Sequence, residues 1–169
     1  MVTVFPLSWV YLFTTEALTR FLVIQTISAF FGLAAIFASG IIADRVGRRP
    51  LLMGSALAIA AFSGFAPQLL DAGAVGESVF MVVGFVLLGL SFGQSSGAAA
   101  SGFSRAYRYT GSAITSDLAW LFGAGFAPLV ALFLSSTFGL MSAGGYLLSG
   151  SICTLLALWL SSRIEKTTD

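Results

Sequence analysis

The sequence of 169 residues contains no histidine, one cysteine (Cys153) and one lysine (Lys166), and only 9% of its residues are charged. A single cysteine excludes a disulfide framework, and the absence of histidine excludes a cysteine–histidine metal site. A net charge of +1 gives no basic footprint for binding nucleic acid. No nucleophile–base pair or phosphate-binding loop is recognisable. The sequence therefore predicts a protein that is not an enzyme, has no cofactor and has no nucleic-acid partner.

Hydrophobic residues, in contrast, make up 57% of the chain, and the mean hydropathy is +0.97. A typical soluble protein has about 25% charged residues, far more than this chain. Disorder is excluded as well, because disordered chains are poor in apolar residues and rich in net charge. This composition is typical of a protein whose side chains face lipid, so we predict an integral membrane protein with the lipid bilayer as its surroundings.

Long stretches without any charge support this prediction. They cover residues 21–43, 50–70, 78–104 and 118–162. A helix needs about 20 apolar residues to cross a hydrocarbon core of roughly 30 Å, so the first three stretches each hold one span and the last holds two. The most plausible turn within the last stretch is 135–139. Since a bilayer offers the backbone no hydrogen-bond partners and the stretches do not alternate strictly, the spans are predicted to be helices.

The predicted fold class is an all-α membrane protein with one transmembrane bundle over residues 1–169, of five full helices and one truncated helix. The predicted spans are 1–14, 21–43, 50–70, 78–102, 110–134 and 140–162. The first is interpreted as a span that has lost its beginning, and the chain as a fragment of a longer protein. Asp71 and Glu77 fall in a loop between spans.

The charges also predict an orientation. Seven of the eight basic residues lie in alternate loops or at the carboxyl terminus. Because basic loops face the cytoplasm, these loops and the carboxyl terminus are predicted to be cytoplasmic, which makes the chain a multi-pass protein of the bacterial inner membrane.

The loop after the first full span reads G-I-I-A-D-R-V-G-R-R-P over residues 40–50. Asp44 is placed to pair with an arginine or to accept from the amino terminus of a neighbouring helix. Gly47 allows an unrestricted φ at a turn, and Pro50 suits the first turn of the next helix. The alternative interpretation is a short basic cytoplasmic loop without further meaning.

The spacing G-x-x-x-D-R-x-G-R-R resembles the signature loop of the major facilitator superfamily. Two further strings, R-Y-T-G-S-A at 108–113 and G-A-G-F-A-P at 123–128, resemble a pattern in the metabolite–proton symporters of that superfamily. The resemblance covers nearly the whole chain, but only spans seven to twelve of the family's twelve. Residues 101–106 depart from the family pattern, which has an acidic residue and a proline there. The resemblance implies a gating motif made of Gly40, Asp44, Arg45, Gly47, Arg48 and Arg49.

The resemblance further implies a secondary active transporter, or half of one. Two six-helix bundles would rock about a site at the membrane midplane and couple proton entry to the uptake of a small organic acid or zwitterion. The implied partners are that small-molecule substrate, the proton, and either the missing amino-terminal half or a second copy of the chain. The alternative is a non-transporting polytopic membrane protein, either an assembly partner or an inactive truncated remnant.

Asp117 is the first candidate for the proton or substrate pathway. It lies nine residues past Arg108, about 10–14 Å along a helix, and therefore within the hydrocarbon layer. A central aspartate costs about 2.5–3.5 kcal/mol to insert, so such residues usually face a cavity or a partner. Trp120 shares its helix face and suits stacking on a ligand. The alternatives for Asp117 are a position at a helix amino terminus or a buried pair with an arginine.

Gln94 completes the predicted pathway with Asp117, Trp120 and Arg108. Interhelical hydrogen bonding explains Gln94, and likewise Gln25, at least as well as a substrate pathway does. A row of small residues, Gly89, Gly93, Gly97 and Ser101, is predicted to let another helix approach closely. Pro128 removes a backbone donor, frees the carbonyl of Ala124 and is expected to disturb its span, most simply by a kink and less commonly as a broken helix that lines a transport site.

Overall fold

The computed structural model describes residues 3–13 and 18–168, without the side chains of 10, 13, 18, 124 and 162–168. In this part of the chain the regular structure is helical throughout. In order, its elements are α1 (Phe5–Phe13), α2 (Leu18–Val46), α3 (Arg48–Asp71), α4 (Gly73–Ser101), α5 (Arg108–Trp120), a π-helix (Leu121–Phe126), α6 (Ala127–Phe138) and α7 (Leu140–Thr168).

Five segments are long and apolar enough to cross a bilayer. They are Thr19–Val46, Arg48–Asp71, Gly73–Ser101, Arg108–Phe138 and Leu140–Ser161. The segment Arg108–Phe138 combines α5, the π-helix and α6. Together with the shorter α1, these five segments confirm the predicted all-α membrane bundle of five full helices and one short one.

The helices are longer than the predicted spans. Helix α4, for example, has 29 residues, about 43 Å, against a hydrocarbon thickness of roughly 30 Å. Charged residues are tolerated where a helix emerges into the headgroup layer, so the end of a charge-free stretch does not mark the end of the helix. The placement of Glu77 in a loop was therefore wrong. Helix α4 begins at Gly73, and Glu77 lies inside it and is buried.

The turn predicted over 135–139 was wrong in extent, because only Gly139 leaves the helical conformation, with φ of 84°. Its N–H donates to the carbonyl of Ser135 at 3.0 Å and closes the end of α6. Ser135 and Ser136 are helical, and their hydroxyls donate to carbonyls of their own helix; for Ser135 the acceptor is Ala131, at 2.7 Å. Glycine suits position 139 because it lacks the Cβ that clashes at positive φ.

Helix α4 lies between α2 and α3 and packs along both. Further contacts run from α3 to α7, from α7 to α6, and from α6 through α1 back to α2. Helix α5 stands apart from this ring of contacts, since it packs only on α4 among the other spans and none of its 13 residues is buried. The bundle therefore leaves one half-span, α5, open to its surroundings.

Two members of the predicted row of small residues on α4, Gly89 and Gly93, form the contact with α2, whereas Gly97 meets Arg48 of α3 and Ser101 is exposed. A Cβ added at Gly89 would clash with the carbonyl oxygen of Gly32 and lie 2.9 Å from the Cβ of Ala35. One turn further on, a Cβ at Gly93 would clash with the hydroxyl of Ser39. Backbone therefore meets backbone along this seam, which larger residues would hold apart.

Candidate functional site

The candidate site lies on the span Arg108–Phe138, whose middle is the π-helix Leu121–Phe126. Well under 1% of residues in proteins are in π-helices, and these helices are frequently found at functional sites. Regular α-helix is therefore interrupted near the middle of the membrane, between α5 on one side and α6 on the other.

Pro128, the second residue of α6, gives a physical reason for the interruption. Proline has no N–H, so the carbonyl of residue 124, four positions earlier, lacks its α-helical donor. In π register a carbonyl pairs with the N–H five residues ahead, which here belongs to Leu129. Gly123 and Gly125 favour the departure from α-helix because glycine is a weak helix former. The predicted disturbance of the span thus takes the form of a π-helix before the proline.

Asp117 lies one turn before the π-helix, and its side chain is exposed. It is the tenth residue of α5, so it is not at a helix amino terminus. Within the described part of the chain it has neither a hydrogen bond nor an ion pair, so it forms no buried pair with an arginine there. Among the described residues, Asp117 is therefore neither at a helix amino terminus nor paired with an arginine, and its side chain is exposed.

Helix α5 also carries hydroxyl groups, on another side from this carboxylate. Ser112, Thr115 and Ser116 are spaced i, i+3 and i+4 and share one face. Ser112 and Thr115 donate to carbonyls of their own helix, at 3.0 and 2.8 Å, and Ser116 is exposed. We call the surface formed by Ser112, Thr115 and Ser116 the α5 polar face. Asp117 lies about 140° around the helix from Ser112, and an ionisable group at hydrocarbon depth usually faces another helix or a water-filled cavity.

Trp120 lies at the end of α5 and is 56% exposed. Its ring meets Phe92 of α4 edge-on, with 6.0 Å between ring centroids. This contact is the side-chain anchor of α5 to the bundle, and it leaves part of the indole open. Arg108, the first residue of α5, is exposed at the other end of the half-span.

Gln94 does not join Asp117 and Trp120, because it lies on the α2 side of α4. It is 6% exposed, and its Nε2 donates to the Ser39 hydroxyl of α2 at 3.3 Å. The Nε2 of Gln25 donates to the carbonyl of Thr3, which precedes α1, at 2.8 Å. Gln94 therefore makes an interhelical hydrogen bond, whereas Gln25 bonds to the turn before α1. Asp117 and Trp120, at i and i+3 of α5, share a helix face that Gln94 does not join.

The predicted gating motif forms the connection between α2 and α3. Gly47 has a φ of 97°, as expected for a glycine turn, and Pro50 lies in the first turn of α3. A Cβ added at Gly40 would meet no atom within 4 Å among the described residues outside its own stretch of helix. Asp44 is exposed and is not within 4 Å of any arginine nitrogen among the described residues, so the expected pairing of Asp44 with an arginine is absent there.

The three arginines of the motif have different surroundings. Arg45 is exposed. The side chain of Arg48 lies against α4 at Gly97. A Cβ added at Gly97 would come within 2.6 Å of the Nη1 of Arg48. Arg49 reaches α7, and its Nη2 donates to the carbonyl of Leu158 at 2.5 Å. Arg49 thus ties the start of α3 to α7, while Arg48 lies against α4 and is exposed, as are Asp44 and Arg45.

These two contacts were not predicted from the sequence. Gly97 was a usable signal for Arg48, because it continues the row of small residues to the end of α4 and leaves room there for a long side chain. The Leu158 contact had no signal, because its acceptor is a backbone carbonyl that every residue has.

No model of a protein family matches the chain, and no solved structure matches it. Two Haemophilus influenzae proteins, each named "Putative metabolite transport protein", are similar to it. One is 34% identical over 135 residues, which are 79% of this chain and 31% of the relative. The other is 30% identical over 154 residues, 90% of this chain and 34% of the relative. The Escherichia coli "Inner membrane metabolite transport protein YhjE" is 31% identical over 125 residues, 73% of this chain and 28% of the relative.

These relatives confirm the resemblance to metabolite transporters that the strings at 108–113 and 123–128 indicated. The relatives are named transport proteins and not enzymes, in agreement with the prediction that the chain is not an enzyme. With its five apolar helices, the chain is a multi-pass membrane protein. It spans about a third of the length of the curated relatives it matches. The chain is therefore a homologue of bacterial metabolite transport proteins.

Proposed function

We propose that the chain is a bundle of a secondary active transporter of the major facilitator superfamily, which carries a small organic acid or zwitterion together with protons by alternating access. The observation that carries this proposal is the interrupted span, in which a π-helix at mid-membrane depth follows an exposed carboxylate. Interrupted helices near the midplane supply backbone groups that bind substrate and coupling ions in secondary transporters. The names of the relatives support a metabolite as the cargo.

In this proposal each part of the site has a separate role. Asp117 holds the proton or the cationic group of a zwitterion, and the open side of Trp120 packs against the apolar part of the substrate. Backbone groups of the π-helix complete the site. Asp44 and Arg45, exposed at the end of α2, form ion pairs with a second bundle and so bias the gate on that side.

The exposed carboxylate of Asp117 supports a second bundle as the partner. The carboxylate would be poorly solvated by lipid, and a second bundle packed on α5 would enclose it together with a water-filled path. The relatives are about three times as long as the matched region, so they have room for such a bundle. The partner is thus the other half of a longer carrier or a second copy of this chain.

Transport is tested by reconstituting the purified chain in liposomes on a solid-supported membrane. Shikimate, proline and glycine betaine are applied singly under an inward proton gradient. We expect at least one of them to evoke a transient current that disappears when the gradient is removed. A folded, reconstituted chain that gives no current with any of the three at any gradient would contradict the proposal and favour a non-transporting role.

The orientation is proposed from the positions of the arginines, because basic loops stay in the cytoplasm. In a Cys153→Ser background, a single cysteine replaces one of two exposed residues. Ala72→Cys lies between α3 and α4, and Ser104→Cys lies between α4 and α5. In intact cells we expect a membrane-impermeant maleimide to label the Ala72→Cys variant. The Ser104→Cys variant should be labelled only after permeabilisation. The reverse pattern would place the arginine loops and the carboxyl terminus outside.

A further inference from the structure

Glu77 is the only charged side chain that is buried among those the structure describes, with 4% of its surface exposed. It is the fifth residue of α4 and lies about 6 Å from the start of that helix. Because α4 is about 43 Å long and the hydrocarbon core roughly 30 Å thick, Glu77 lies near the boundary of that core, at the end of the bundle opposite the arginine loops.

Apolar residues of the core pack on the same face of α4 as Glu77. Phe80 and Met81 follow it at i+3 and i+4, on the same face of α4, and are 3% and 0% exposed. Both belong to a hydrophobic core that includes Phe21 of α2 and Phe62 of α3. The ring of Phe62 is 5.3 Å from that of Phe80. The carboxyl group thus lies at the end of the apolar core of the bundle and not in a solvated loop.

Close packing also restricts this end of α4. A Cβ added at Gly76 would clash with the carbonyl oxygen of Leu69 on α3 and come within 2.7 Å of the Cβ of Ala72. Helices α3 and α4 therefore meet backbone to backbone immediately beside Glu77. With 4% of its surface exposed, Glu77 is largely closed off from water, and a movement of α4 relative to its neighbours would open it.

Two other described charges lie at this end of the elements that pack on α4. Arg20 is near the start of α2, and Asp71 is the last residue of α3; both are exposed. Helices α2 and α4 run parallel, because Gly89 lies against Gly32 and, further along both helices, Gln94 lies against Ser39. The same offset in residue number places Arg20 of α2 at the level of Glu77. Helix α5 adds no charge here, because it packs on the opposite end of α4.

We propose that Glu77 is a proton-binding site of the bundle. Its carboxylate takes up one proton from the side opposite the arginine loops to become a neutral carboxyl group, and it returns that proton when α4 moves and water enters. Ionisable residues inside membrane spans mark proton and ion pathways, and the buried Glu77 meets that condition while the exposed Asp71 does not. The assignment of this proton as the coupling ion rests on the proposed transport function.

The binding of a proton is tested without any substrate. Dicyclohexylcarbodiimide, an apolar reagent that modifies protonated carboxyl groups in dry surroundings, is applied to the chain in liposomes between about pH 5 and 8. We expect mass spectrometry to find Glu77 modified, increasingly as the pH falls. Modification should persist in the Asp71→Asn variant and disappear in Glu77→Gln. A Glu77 that stays unmodified at every pH, or that reacts no more than Asp71, would overturn the proposal.

Coupling is tested with the substrate that gives a current in wild type. We expect Glu77→Gln to retain exchange of labelled substrate across the membrane, which needs no net proton movement, and to lose accumulation driven by the proton gradient. Normal proton-driven accumulation by Glu77→Gln would overturn the coupling role. If Glu77 is modified as expected but wild type moves no substrate, the proton site stands and the proposed function fails.

Discussion

The Gly89→Ala variant is expected to lower the free energy of unfolding of the bundle by about 1–3 kcal/mol, as overpacking of a close contact typically does. The new methyl group would clash with the backbone carbonyl of Gly32, which cannot rotate away as a side chain can, and it would also press on Ala35. Relief requires α2 and α4 to separate, and these two helices share the longest seam of the bundle.

The matched control is Gly64→Ala, which adds the same methyl group to α3 at a position where no atom lies within 4 Å. Alanine has the higher helix propensity, so this control is expected to be neutral or slightly stabilising. Thermal unfolding of both variants in the same detergent measures the difference. If the two variants unfold at the same temperature, the seam between α2 and α4 is not as close as the structure has it.

The Asp117→Asn variant is expected to reduce proton-driven current on the order of 10–100-fold, since a hydrogen bond to a charged group is worth about 1.5–3 kcal/mol. Asparagine keeps the size of the side chain but removes the charge and the capacity to carry a proton. Asp117 is exposed and has no partner among the described residues. We therefore expect the thermal stability of the variant to remain that of wild type.

The control for this variant is Asp71→Asn, the same substitution at an exposed carboxylate on the end of α3. It is expected to leave the current unchanged. Currents recorded over a series of proton gradients compare the two variants with wild type. Equal currents for Asp117→Asn and wild type across the whole series would remove Asp117 from the mechanism.

The spans were predictable because the thickness of the hydrocarbon core fixes their minimum length, and charges mark where that core ends. The seam along Gly89 and Gly93 was predictable for a related reason, since small residues one turn apart have a direct geometric consequence. Both inferences use only the spacing of residues along one helix.

The environments of single side chains were not predictable in this way. Glu77 resembled a loop residue, because a charge at the end of an apolar stretch has the same sequence signal whether the helix ends there or continues. Its burial beside Phe80 and Met81 belongs to a core that also takes Phe21 and Phe62 from other helices. Pro128 signalled a disturbance, but the choice between a kink and a π-helix depends on which donor the freed carbonyl finds, and the sequence does not contain that information.

The most direct test of the account is whether the π-helix lines a path that opens alternately to both sides of the membrane. A Gly123→Cys variant in a Cys153→Ser background places a thiol there, where a new Cβ meets no atom within 4 Å among the described residues beyond its own stretch of helix. If the π-helix lines such a path, an impermeant maleimide labels this thiol in right-side-out and in inside-out vesicles. A thiol that is labelled from neither side, while the Ala72→Cys variant is labelled normally, would place the π-helix against lipid and contradict the account.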